Sequence, residues 1–444
     1  MHVVIAGGGI SGLSSAFYLK QARPDWEITI LDAGAELGGT MRTETVEGFH
    51  FEMGSNGFLT NKPDTLDLVR ESGAEHLLLP SNDNARIRYI YTDTLHRLPE
   101  SPPAFLATRL LSLTGKLRTL AEILIPARRE ESDETLQSFG YRRVGREFTD
   151  VFLNAMTAGI YGSTPEVLSV KAAFPLVVAL EREYGGLFRG MLKKRRKQAG
   201  PGGILMSFNR GVSTFVEHLA AHLDADIRTN TPARAVSADA DGYRVQTDGE
   251  SFAADAVVLA TPAYVAAQLL QGLDAEIAER LATIEYSPIS VVGLGYRDLD
   301  HPLPGFGLLT TASANLPVLG VLWDSSIFPD RAPAGCKSLR VMIGGQRNPE
   351  LALQDEAGLI ATARAGVEQT MGIDAEPLVT FSKRWDRGIP NYRVGHIANV
   401  DALFAALPQH KGLYLNANAY RGVALNDCVR NSRELAQRIT AAFS

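Results

Sequence analysis

The stretch VVIAGGGISGLSSAFYLK, residues 3–20, constrains the fold of this chain more than any other. An apolar run, Val3 to Ala6, leads into Gly7, Gly9 and Gly12 in the G-x-G-x-x-G spacing. Leu13, Ala16, Phe17 and Leu19 then recur at helical intervals. The pattern predicts a buried strand, a glycine turn and a helix. Gly7 permits a tight turn. The missing Cβ at Gly9 lets backbone approach a pyrophosphate, and at Gly12 it lets helix and strand pack closely. The helix start adds free N–H groups and a positive dipole end for phosphates. A turn that merely joins strand to helix is the alternative.

Two further features occur where a dinucleotide needs them. A second strand, Trp26 to Leu31, ends in Asp32, about twenty residues past the turn, where an acid accepts hydrogen bonds from ribose hydroxyls. LGGTMRT, residues 37–43, is a second Gly-Gly turn with Arg42 behind it. A nicotinamide site needs no such turn. A long flavin dinucleotide uses it, with Arg42 as a second anchor for the pyrophosphate.

At 444 residues the chain is expected to form two or three interleaved domains. A net charge of −6 with no basic excess argues against nucleic acid as a partner. Cys336 and Cys428 stand alone, with no zinc spacing and no disulfide framework, as suits a reducing compartment. The first strand begins at His2, so no signal peptide is expected. No apolar run reaches about 18 residues, so no spanning helix is expected either. The location expected is the cytoplasm.

Along the chain, Phe49 and Phe51 alternate like strand residues ahead of Gly54 and Gly57, either a loop over the flavin or a Ser-Asn-Gly turn. Residues 63–80 read as a short helix. ARIRYIY, 85–91, reads as a strand with Arg86 and Arg88 on one face. Residues 101–204 turn helical. LATRLLSLTGKLRTLAEILI is amphipathic with few charges, which favours a buried helix face over a membrane-surface helix. Lys193, Lys194, Arg195, Arg196 and Lys197 precede a Gly-Pro-Gly-Gly stretch and read as a mobile solvated loop. VVLATP, within 205–265, returns to the first domain. Residues 266–399 alternate strands with helices, and the tail is strand, glycine turn and helix. The expected fold class is α/β (α+β overall). A Rossmann-like domain comprises 1–80, 205–265 and 400–444. It is interleaved with a mixed or antiparallel-sheet substrate domain, 81–100 and 266–399, and with a helical insertion at 101–204 that is the candidate for contact with a membrane face.

Four narrower motifs occur in order: TAGIYGSTPEVLSVKAAFP, GFGLL with GVLWDSSIFPDRAP, W-x-x-x-IPNYRVGH and YRGVALNDC. With them the chain resembles, over its full length, the flavin amine-oxidase superfamily, and within it the protoporphyrinogen and coproporphyrinogen III oxidases. The resemblance implies FAD as cofactor. Gly7, Gly8, Gly9, Ile10, Ser11 and Gly12 would hold the pyrophosphate, and Asp32 with Ala33 the adenosine ribose. Thr40 and Arg42 follow in the second turn, and Gly54, Ser55, Asn56 and Gly57 run past the isoalloxazine. Ala233, at a position usually held by Val, would offer backbone to the adenine. Asn418, Val423, Ala424 and Leu425 would hold the pyrimidine end. Asp32 replaces a usual Glu, and NAN at 416–418 replaces a more glycine-rich stretch.

For substrate, the resemblance implies an apolar slot. Arg88 would pair a propionate, Leu309 and Phe328 would flank a pyrrole ring, and the carbonyl of Gly159 would face pyrrole N–H groups. The implied reaction is oxidation of a porphyrinogen in haem biosynthesis, with oxygen as acceptor and hydrogen peroxide released. Hand-over of product to the next enzyme of that route is a further implied partnership. Coproporphyrinogen carries two propionates where protoporphyrinogen has vinyls, so its site should hold additional cations. Arg86, Lys171, Arg182 and the 193–197 run are the candidates weighed. No general base stands out, and His396 reads as structural. Amine or carotenoid oxidation within the same superfamily, and a flavin-free escort-type binding protein, are the rival readings.

Overall fold

The structure, a computed structural model, describes residues 1–82, 86–130, 132–197 and 203–444, and only the backbone of 194–197. His2–Ala6 is the middle strand of a five-stranded parallel sheet. Glu27–Leu31 and then Asp226–Arg228 lie on one side of it, Ala256–Leu259 and then Leu413–Leu415 on the other. A parallel sheet must be covered on both faces, so its strands read as unbroken apolar runs. Side chains alternate between faces. Val3 and Ile5 therefore enter one core, with Leu13 and Ala16 of the helix Ile10–Ala22 and Val429 of the helix Leu425–Ala442. Val4 and Ala6 enter the other, with Val257, Ala266 and Leu403.

A seven-stranded sheet forms the second layer system. Its spatial order is Val379–Pro390, Tyr286–Arg297, Cys336–Gly344, Val318–Leu322, Gly307–Thr310, Arg88–Tyr91 and Leu95–Arg97. Every neighbouring pair is antiparallel except Gly307–Thr310 with Arg88–Tyr91. The helix Glu356–Met371 covers one face, where Val292, Leu294, Val341 and Ala363 form a core. On the other face lies the hairpin Thr43–Val46/Phe49–Glu52. Its Phe51 packs over Gly293 and stacks on Phe381 at 5.8 Å between ring centres.

The helical region departs from the sequence reading in three places. The segment read as one amphipathic helix is broken into Pro102–Ala107, Leu113–Leu120 and a 3-10 turn Ala121–Leu124. Ser112 caps the second piece, its Oγ accepting from Gly115 N–H at 3.0 Å. Nor does its leucine face form core: Leu113, Leu117 and Leu124 are 74, 58 and 77 % exposed. The inward face is polar instead. Thr119 bonds Gly115 O and Val144 O, and the buried Glu122 pairs with Arg143 and accepts from the N–H groups of Leu187 and Phe188. A carboxylate on those first N–H groups suits the start of the helix Leu187–Lys197. That helix runs through Lys193–Lys197, correcting the expected loop; Gly200, Pro201 and Gly202 lie outside the described residues. Finally, the strand begins at Arg88, so Arg86 is not on its face, and Ala85 lies outside the described residues. Among the described residues no helix is long and apolar enough to cross a membrane.

Candidate functional site

The carboxyl end of the parallel sheet carries the glycine cradle. Gly7 has φ +107°, and a Cβ on Gly12 would lie 1.9 Å from Gly7 O, so the helix can approach the strand only with glycine there. Gly9 differs: a Cβ on it would meet nothing closer than 3.8 Å. Its backbone therefore faces open space at the start of the helix Ile10–Ala22, as a pyrophosphate site needs. Asp32 organises the turn from below, accepting from Gly8 N–H at 2.6 Å and Gly34 N–H at 2.7 Å. An ionised carboxylate has about four lone-pair sites, so it can still accept from a ribose hydroxyl. Asp32 O takes the N–H of Thr231, which brings Ala233 to the same sheet end. The second glycine turn is tied to the first by Gly38 N–H to Gly8 O at 2.9 Å. Arg42 is half-buried there and pairs with Glu36.

The segment Met53–Gly57 links the two sheets. A Cβ on Gly54 would clash with Thr40 O at 2.4 Å, and one on Gly57 with Met206 O at 2.1 Å, so both lie tightly on neighbouring backbone. Arg340, 2 % exposed, donates to Gly54 O at 3.0 Å and pairs with Asp324. Trp385 Nε1–H donates to Met53 O at 2.9 Å. Below, Arg331 and Glu52 form a buried ion pair at 2.9 Å. Burial alone pushes the Glu52 carboxyl up, and the Arg331 charge opposes this. Asn56 Nδ2 is buried with no hydrogen-bond partner among the described residues, a donor left for a polar ligand edge. Across from this segment, Leu425–Ala442 begins at the N-cap Ala424 with no side-chain cap, leaving N–H groups next to Val423 and Leu425. Asn418 O accepts from Tyr392 Oη at 2.5 Å, and Asn416 is buried, its amide bonded to Ser15 and Ser432. The NAN stretch thus clamps the two cradle helices together. These groups fit a flavin dinucleotide along their whole run.

The face of the seven-stranded sheet opposite the helix Glu356–Met371 carries an apolar row, the floor of the candidate site. Register places Val291 opposite Met342, Met342 opposite Gly320, Gly320 opposite Leu309 and Leu309 opposite Ile90. The helix Asn154–Tyr161 closes over it, and a Cβ on Gly159 would sit 2.7 Å from Leu309 Cδ2. The Leu309 side chain therefore lies against the Gly159 backbone. The Gly159 carbonyl, near the helix end, takes no donor among the described residues. Arg88 is exposed beside Gly307, its guanidinium 5.3 Å from the Phe306 ring centre, with no carboxylate of the described residues in ion-pair range. Phe328 is instead a core side chain, 1 % exposed, packed with Ile327 and under Arg331. His396 is buried, stacked on Tyr392 at 4.1 Å with Nε2 3.1 Å from Tyr420 O, and desolvation lowers its pKa. It sits among aromatics, away from the floor. Sequence reasoning missed Trp385, Arg340 and Glu52 as supports of the Met53–Gly57 segment. The tryptophan was legible only as a motif letter, and the two charges had no local pattern.

The family model for flavin-containing amine oxidoreductases matches residues 10–440. The coproporphyrinogen III oxidase of Bacillus subtilis (strain 168) is 28 % identical, the match covering 100 % of this chain and 99 % of that one. The chloroplastic protoporphyrinogen oxidase of Oryza sativa subsp. japonica is 29 % identical over 98 % of this chain and 88 % of its own. A crystal structure from Exiguobacterium sp. 255-15, provisionally named a protoporphyrinogen oxidase, matches with a TM-score of 0.88 at 28 % identity, covering 99 % and 98 % of the two chains.

Proposed function

The chain belongs to the flavin-containing amine oxidoreductase family, and from that premise we propose that it is an FAD-dependent porphyrinogen oxidase of haem biosynthesis. The observation that carries this is the apolar floor, with Arg88, which has no carboxylate of the described residues in ion-pair range, at one side and the Met53–Gly57 segment along another. A flat macrocycle with carboxylate arms needs apolar walls and a cation that pairs two oxygens. An amine substrate would want a free acid, and the acids below the floor, Glu52 and Asp324, are already spent on arginines.

A bound flavin would supply two-electron oxidation of a methylene bridge, with oxygen as the acceptor and hydrogen peroxide as the second product. The protein's part is placement. Gly7 to Gly12, Asp32, Thr40 and Arg42 hold the dinucleotide end. Gly54 to Gly57, Asn418 and Val423 to Leu425 hold the ring end. Arg88 orients a carboxylate arm, Leu309 and Gly159 set the height of the slot, and the Gly159 carbonyl accepts a pyrrole N–H. The Gly159 carbonyl holds that N–H only by a hydrogen bond, being too weak a base to take its proton, so the proton lost from a pyrrole nitrogen leaves to solvent at the exposed Arg88 side.

The test is an aerobic fluorescence assay with coproporphyrinogen III and protoporphyrinogen IX side by side, after the visible spectrum has been recorded. A yellow protein that forms porphyrin and peroxide is expected. A flavin-loaded protein that oxidises neither refutes the reading.

The ridge Leu113, Leu117, Leu120 and Leu124 favours one addition, peripheral contact with an anionic membrane face, because Lys116 and the basic end of Leu187–Lys197 belong to the same helical region. Co-flotation with vesicles of anionic lipid, lost in Leu117→Asp, is expected; equal flotation of both proteins removes it.

A further inference from the structure

The strand register that builds the floor also carries a second cation to its far side. Lys383 lies on the edge strand Val379–Pro390, opposite Val291, in the row that runs on through Met342, Gly320 and Leu309 to Ile90. Residues opposite one another in register share a face, so Lys383 stands on the face that carries Leu309. Arg88 lies one step along the same face, two residues before Ile90. Five strand spacings separate the two cations, about 24 Å between backbones. Their surroundings match. Lys383 Nζ lies 4.7 Å from the ring centre of Trp385, as the Arg88 guanidinium lies over Phe306. Neither has a carboxylate of the described residues in ion-pair range, whereas Arg331, Arg340 and Arg384 each do. Arg384, next in sequence, points to the opposite face and pairs with Asp386. The Trp385 ring under Lys383 is itself fixed to Met53 O, beside the flavin segment.

We propose that Lys383 binds a second carboxylate arm of the substrate, on the side of the macrocycle opposite the arm held by Arg88, and so selects a porphyrinogen with propionates on both sides. The inference rests on the porphyrinogen reading. Coproporphyrinogen III has four carboxylates around the ring and meets both cations at once. Protoporphyrinogen IX has its two on neighbouring pyrroles and engages one side. Arg86, Lys171, Arg182 and the 193–197 run lie outside the floor's strands, whereas Lys383 stands on one of them.

The test compares wild type, Lys383→Met and Lys383→Arg, all flavin-loaded. Binding of the oxidised products, coproporphyrin III and protoporphyrin IX, is followed by quenching of porphyrin fluorescence, and KM and kcat are measured with both porphyrinogens. The expected result is a Lys383→Met affinity for coproporphyrin III about tenfold weaker, with KM raised to match, kcat little moved and the coproporphyrin-to-protoporphyrin preference lost; a charge-assisted bond to carboxylate supports that size. Lys383→Arg should restore the preference. Unchanged affinity in Lys383→Met overturns the proposal, as does an equal loss for both porphyrins, which would mark a lysine that merely steadies Trp385. If wild type binds coproporphyrin III but oxidises neither porphyrinogen, the reaction reading falls while the binding comparison still decides Lys383. If it binds neither porphyrin, both fall.

Discussion

Replacing Arg331 with Met strips the cation from a fully buried carboxylate, and the structure says how much that should cost. Arg331 and Glu52 are 0 % exposed and pair at 2.9 Å. Arg331 also donates to Ser207 Oγ at 2.7 Å, so it joins the hairpin that ends at Glu52 to the strand Leu205–Phe208. After the change Glu52 keeps only Thr43 Oγ1, at 2.6 Å, and the Val212 N–H, at 3.2 Å. Breaking a buried pair from one side costs about 3–5 kcal/mol. Over 444 residues the unfolding entropy is on the order of 0.9 kcal/mol per kelvin, so the apparent Tm should fall by about 3–5 °C. The loss should depend on pH with a definite sign. Without Arg331, burial holds the Glu52 carboxyl well above its ordinary range of about 4.5, protonated in the folded state and ionised in the unfolded one. Stability from such a group is present at low pH and is lost as pH rises. The variant should therefore be closer to wild type at pH 5 than at pH 8. Glu52→Gln/Arg331→Met removes the orphaned charge and should recover part of the deficit. Scanning fluorimetry with flavin release as a second signal measures all three. Equal losses in the single and double variants, or a deficit that does not grow with pH, would refute the reasoning.

Other expectations follow from the same geometry. Asp32→Asn exchanges a charged acceptor for an amide that clashes electrostatically with Gly8 N–H or Gly34 N–H, and flavin affinity should weaken about ten- to a hundredfold, read by titrating apoprotein with FAD; undiminished affinity would deny Asp32 its place. Gly159→Ala puts a methyl 2.7 Å from Leu309 Cδ2 and drives that flexible side chain into the slot, at a cost of about 1–3 kcal/mol. Porphyrinogen KM should rise several-fold with the flavin spectrum unchanged, and an unaltered KM would move Gly159 out of the site. His396 is held neutral by burial, below its ordinary 6.5. The unfolded chain takes up a proton as pH falls below about 6.5, so wild type should lose stability there and hold it above. His396→Gln should flatten the apparent Tm between pH 5 and 7, and an identical slope would contradict the assignment.

Much of the cofactor half of this protein was legible in one dimension. Strand, glycine turn, helix and Asp32 are local, because each glycine answers a constraint set by residues within a few positions or by a strand that must pair with Val3–Ala6. The α/β class follows from that alternation. The helical region was misread where periodicity reports only that leucines share a face, not which face looks inward. Thr119 and Glu122 of that segment took the interior with Arg143, which comes from later in the chain, so Leu113 and Leu117 went to the surface. Arg86 and Arg88 seemed equivalent because alternation assumes a strand that in fact starts at Arg88.

The amino-acid sequence by itself determined the dinucleotide cradle, because its turn geometry, strand burial and helix start are all written within residues 3–43. Only the tertiary structure decided the face proposed as the substrate slot. Arg88, Leu309, Gly320, Met342 and Lys383 come from five strands, and no single stretch of chain holds two of the cations. Their common face exists only through strand register, antiparallel from Lys383 to Leu309 and parallel from Leu309 to Arg88, where a shift of one residue would turn a strand's contribution away.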